Sequence, residues 1–95
     1  MPQTLIHAVH MIVRGRVQGV GFRFFVRDQA SRYSIKGWVR NREDGSVEIH
    51  SEGQKDLLDE FVAVVKEGPR FGLVSDLEVD WVEPTNYYTS FGIEF

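Results

Sequence analysis

Residues 15–23, GRVQGVGFR, hold three glycines within seven positions, and Arg16 and Arg23 bracket the later pair. Glycine is entropically costly to order, so such a run marks backbone shapes or close approaches that a side chain would forbid. An apolar run at helical spacing starts at Phe22, so the glycines lead directly into a helix N-terminus. None of Val17, Gln18, Gly19, Val20 or Gly21 is a Ser, Thr, Asp or Asn, the residues that normally satisfy the free N–H groups of a first turn. Those donors need water, another backbone group or an external acceptor. The positive end of the helix dipole favours an anion there, and glycines let several N–H groups converge on it. Arg23 adds a planar fork of donors that suits phosphate oxygens. Its charge opposes the dipole, so helix stability does not account for it. The competing reading is a tight strand-to-helix turn in which glycine itself serves as the cap. Nucleotide fingerprints do not fit, because the Gly-Lys-Ser/Thr ending is missing and Phe24 replaces the third glycine of a dinucleotide motif.

The elements that must position this loop follow from apolar periodicity. HAVHMIVR (7–14) alternates as a strand, with Val9, Met11 and Val13 on one face. Phe22, Phe25, Val26, Ala30 and Tyr33 predict an amphipathic helix over about 22–33. KGWVRN (36–41) reads as a strand, EDGS (43–46) carries an Asp-Gly hairpin signal, and SVEIHS follows with Val47 and Ile49 inward. Leu57, Leu58, Phe61, Val62 and Val65 form a second helical stripe, stopped by Gly68-Pro69. A fourth strand fits 74–82, and a last one, 90–95, sets Phe91, Ile93 and Phe95 on one side. The order is βαββαβ with a short extra C-terminal strand. It predicts an α+β, ferredoxin-like sandwich with two helices on one face of an antiparallel sheet.

Ninety-five residues make one domain, 1–95, and 42% hydrophobic with 13% aromatic content is that of a packed chain. With no cysteine, disulfides and thiolate metal sites are excluded. The net charge of −3 argues against a general nucleic-acid binder, yet the arginines and the single lysine of residues 14–42 leave room for a local anion site. AVHMIV, the most apolar early segment, is far short of the ~20 residues of a membrane span. A cytoplasmic monomer without a membrane or nucleic-acid partner is the default expectation. His7 and His10, three apart on one strand, point to opposite faces, and His50 lies on another strand; no metal site is expected.

GRVQGVGFR, followed at short distance by KGWVRN and DGSVE, resembles the acylphosphatase family from about His10 to Phe95. The resemblance implies a small ferredoxin-like enzyme that hydrolyses the carboxyl–phosphate bond of acyl phosphates without metal, cofactor or covalent intermediate. By the same resemblance Arg23 binds the phosphate, Asn41 positions the attacking water, and the backbone of Arg16, Val17, Gln18, Gly19, Val20, Gly21 and Phe22 forms the cradle. Ser34 and Arg70 depart from the family pattern and bear on local turns, not on the chemistry. Taken without the resemblance, Asn41 reads equally as a turn residue before the hairpin.

The chemistry is consistent from below. An acyl phosphate carries a good carboxylate leaving group, so catalysis reduces to positioning and charge stabilisation, with no His or Cys in the motif segments to act as nucleophile. Two alternatives stand beside it. One is a non-catalytic phosphate-binding or acyl-phosphate-binding module with the same cradle. The other is an RNA-recognition-like domain, which shares the topology; here, though, KGWV falls on the second strand and lacks the following aromatics.

Overall fold

The alternation of Val9, Met11 and Val13 forms the core face of β1 (Ile6–Arg16) in the computed structural model, which describes residues 5–95. After a loop come α1 (Phe22–Arg32), β2 (Lys36–Asn41), β3 (Val47–Gln54), α2 (Lys55–Glu67), β4 (Leu73–Val82) and β5 (Phe91–Glu94). The helical stripes pack as their spacing predicts. Phe22, Val26 and Ala30 of α1 and Leu58, Phe61 and Val65 of α2 are buried against Val9, Met11, Val13, Val39, Val47 and Ile49 of the sheet. Both helices therefore cover one face. The expected α+β, ferredoxin-like arrangement is the observed one.

The sheet order is β4-β1-β3-β2-β5. The first four strands pair antiparallel, whereas β5 joins β2 in parallel, with Val39 opposite Ile93 and Arg40 opposite Glu94. This seats the end of β5 beside the end of β2, where Asn41 lies. At its far end β1 breaks register between Arg14 and Gly15. Gly15 has φ 127, and a Cβ there would lie 2.1 Å from the Leu73 carbonyl oxygen, so only glycine lets β4 approach where the loop begins.

On the sheet face away from the helices His50 lies on another strand than His10, as expected, and the β1–β3 register sets the two directly opposite one another. Each histidine instead contacts its own carboxylate: His10 meets Glu48 at 2.7 Å and His50 meets Glu52 at 2.6 Å. Among the described residues, no group of three His, Cys, Asp or Glu side chains is placed to hold a metal ion, and no helix is long and apolar enough to cross a membrane.

Glu52 also ties the 83–90 connection to the sheet. Its carboxylate accepts hydrogen bonds from the Thr85 N–H (3.0 Å), the Thr85 hydroxyl (2.8 Å) and the Asn86 N–H (2.9 Å). Nearby, Trp38 donates its indole N–H to the Tyr88 hydroxyl at 3.0 Å. Burial raises the Glu52 pKa, but the hydrogen bonds from His50, Thr85 and Asn86 outweigh it and hold the group at about 2, below the ordinary 4.5. A carboxyl lowered in the folded state stabilises the fold above its unfolded pKa, and that contribution disappears as pH falls from 4.5 towards 2. The full difference is on the order of 3 kcal/mol. In denaturant titrations from pH 6 to pH 2, Glu52→Gln should lose less stability across that window than wild type. Parallel losses would show that Glu52 does not carry the acid sensitivity.

Candidate active site

The loop between β1 and α1 is held at both ends and open between them. Val17 and Phe22 are buried in the core, so only their backbones can face a ligand. Gly19 and Gly21 both have φ 76. Gly21 is the N-cap of α1 in the left-handed conformation, and no side chain caps the helix. The first helical bond runs from the Phe25 N–H to the Gly21 carbonyl at 3.0 Å. The N–H groups of Phe22, Arg23 and Phe24 therefore lie before the helix ladder and point out of its end. The missing cap read from the sequence is present as geometry.

Arg23 stands in that first turn, half-buried. Its guanidinium donates to the Glu94 carbonyl oxygen at 2.9 Å and lies 4.8 Å from the centre of the Phe95 ring. One nitrogen is thus anchored on the β5 side, and an arginine has further N–H donors for an anion. Asn41 closes β2 opposite Val47, on the helix side of the sheet, and is exposed. Arg23 and Asn41 line the same open cavity, about 820 Å³, together with Arg42, Asp44, Glu94 and Phe95. The remaining predicted residues are placed differently. Arg16 is exposed at the end of β1, and neither it nor residues 17–22 line this cavity. Arg27, one turn further along α1, pairs with Asp28 at 3.1 Å on the surface.

Glu43 and Glu94 also line the cavity, and two further acidic groups at or near it, Asp44 and Glu48, are held by neighbours. Asp44 lines the cavity, but its carboxylate accepts hydrogen bonds from the Ser46 hydroxyl and the Ser46 N–H, and these hold its pKa below the ordinary range. A carboxylate so committed is a poor proton acceptor, and the hairpin role expected for Asp44 is the one seen. Glu48, behind Arg40, is raised by burial but lowered further by the hydrogen bonds of His10 and Arg40, so it stays ionised and holds the Arg40 guanidinium at 2.7 Å. With Arg40 partnered there, Arg23 and Arg42 are the cavity's other cations.

Sequence reasoning missed Glu94 and Phe95 as neighbours of Arg23. The alternation of Phe91, Ile93 and Phe95 marks a strand, but nothing in it says that the strand lies beside β2.

With the loop, the arginine and the asparagine in place, comparison with known proteins is decisive. A sequence model of the acylphosphatase family matches residues 9–93. The chain belongs to the acylphosphatase family of enzymes. An acylphosphatase of Bacillus licheniformis is 42% identical over 85 residues, which cover 90% of this chain and 94% of that one. The crystal structure of acylphosphatase from Bacillus subtilis superposes with a TM-score of 0.90 at 42% identity, covering 96% of this chain and all of its own. The structure of an acylphosphatase from Coxiella burnetii gives 0.89 at 31% identity, with 94% and 93% covered. These acylphosphatases share the fold over nearly the full described length.

The left-handed cap gives a direct check on the loop. Gly21 has open space where a Cβ would stand, so its constraint is conformational rather than steric. Gly21→Val should cost about 1–2 kcal/mol, while Gly21→Asn, which tolerates this backbone region, should cost less. Equal unfolding midpoints for both variants in urea would show that the loop does not need the left-handed residue.

Proposed function

We propose that the protein hydrolyses the carboxyl–phosphate anhydride bond of acyl phosphates, releasing a carboxylate and inorganic phosphate. In this reading the dianionic phosphoryl group sits on the free N–H groups at the start of α1 and on the backbone of residues 16–22. Arg23 binds its oxygens by charge-assisted hydrogen bonds. Asn41 holds a water in line with the bond to be broken. The water oxygen forms the new P–O bond, the acyl oxygen takes the electron pair of the old one, and a phosphate oxygen accepts the proton from the water. No side-chain base is required because the leaving carboxylate is weakly basic and the transition state is loose. Asp44, engaged by Ser46, is not suited to that task in any case.

The observation that carries the reading is the shared cavity of Arg23 and Asn41. They come from different elements and are 18 residues apart in sequence, yet they face one space. Arg23 is oriented by Glu94, and Asn41 stands at the end of a strand whose register is set on both sides, by β3 and β5. Rigid placement of this kind is what positional catalysis needs. The same reading makes the protein a cytoplasmic monomer that takes a small-molecule substrate and needs no metal, nucleic acid or membrane. Its negative net charge and lack of cysteine fit that assignment.

Benzoyl phosphate is the test substrate. Turnover should persist with a chelator present, and Arg23→Ala and Asn41→Ala should each lower it by on the order of a hundredfold, the scale of removing one oriented donor. Phosphate binding without turnover would identify a binding module instead. Both variants at wild-type rate would remove these residues from the mechanism.

A further inference from the structure

Gln18 has a side-chain role distinct from any backbone contact to phosphate. Its amide nitrogen donates to the Arg42 carbonyl oxygen at 2.8 Å and to the Ser46 carbonyl oxygen at 2.8 Å. A primary amide has two N–H donors, so both are used, one on each arm of the turn that follows Asn41. The two carbonyls are also the ones that close this turn: Arg42 N–H donates to Ser46 O at 2.8 Å, and Gly45 N–H to Arg42 O at 3.2 Å. Gln18 thus seals a turn that begins one residue after Asn41.

The loop has little else to locate it against that turn. Gly19 and Gly21 have no atom within 4 Å of where a Cβ would stand, and Val20 packs as an apolar side chain against the core. Among the described residues, the Gln18 amide makes the side-chain hydrogen bonds that join residues 17–21 to the β2–β3 turn. We propose, on the functional reading above, that Gln18 is a positioning residue whose side chain sets the spacing between the phosphate cradle and Asn41. The phosphate is gripped from the loop side and the water is aimed from the hairpin side. A change in the gap between them leaves each half intact but misaligns the attack.

That division predicts where the effect appears in the kinetics. An interaction that matters only when water meets phosphorus lowers kcat and leaves ground-state binding alone. Gln18→Met keeps the length and removes both donors. With benzoyl phosphate it should lower kcat on the order of tenfold, since small misplacements in a positioned reaction have effects of this scale or larger. KM and competitive inhibition by inorganic phosphate should stay within about twofold, as expected when the interaction lost is made in the transition state alone. In an Asn41→Ala background the same substitution should change kcat by less than about twofold, because the group it aligns is gone. Gln18→Asn, which keeps the amide but is one methylene short, should behave like Gln18→Met and serves if the latter does not fold; circular dichroism establishes folding for each variant.

A folded Gln18→Met or Gln18→Asn protein with full kcat overturns the proposal. So does a tenfold loss that persists undiminished on top of Asn41→Ala, or a rise in KM with kcat unchanged. Failure of the functional reading looks different, because the wild-type chain itself would then not hydrolyse benzoyl phosphate.

Discussion

The free N–H groups at the start of α1 are the constraint around which the rest is arranged. A helix end left without a side-chain cap is destabilised unless water or a ligand fills the place, and the left-handed Gly21 makes this end by conformation alone. Everything nearby keeps the opening both clear and rigid. Val17 and Phe22 anchor the loop ends in the core, and the break at Gly15 lets β4 come close beneath it. The sheet then brings the end of β2 to the opposite side. Burial supplies the framework, and the glycines keep side chains out of the opening.

Charge is distributed to the same end. Two acidic groups near the cavity are held by local partners: Asp44 takes the Ser46 hydroxyl and N–H, and Glu48 takes Arg40 and His10. Arg23 instead uses a neutral carbonyl and an aromatic face as its neighbours. A guanidinium oriented by dipole and quadrupole keeps its full charge for an anion, whereas one paired to a carboxylate would have to be shared or released first. This explains how a chain with net charge −3 can present a cationic site.

Much of this was legible in sequence because it is local. The glycines, the missing cap and Arg23 lie within one loop and one turn, and KGWVRN forms β2, Lys36–Asn41, shortly before the Asp44-Gly45 turn signal. The helical stripes at Phe22, Val26 and Ala30 and at Leu58, Phe61 and Val65 follow from periodicity, and they fix which sheet face is covered. What escaped is long-range. Glu94 lies 71 residues from Arg23, and Glu52 lies 33 and 34 residues from the backbone donors of Thr85 and Asn86. Polar contacts of that kind leave no periodic trace. The pairing of His10 with His50 is not legible for the same reason: spacing along one strand says nothing about register with the next.

The chain's two tryptophans stand towards opposite borders of the sheet, Trp38 on β2 beside β5 and Trp81 on β4. The Trp38 indole is stacked on His50 and bonded to Tyr88, so part of its surroundings exists only while the 83–90 connection lies against the sheet. Trp81 instead has the Lys55 ammonium 4.5 Å from its ring centre and senses the start of α2. The molecule therefore carries two native fluorophores with separate fields of view. Emission from each one, with the other replaced by phenylalanine, would resolve the undocking of one border of the sheet from that of the other.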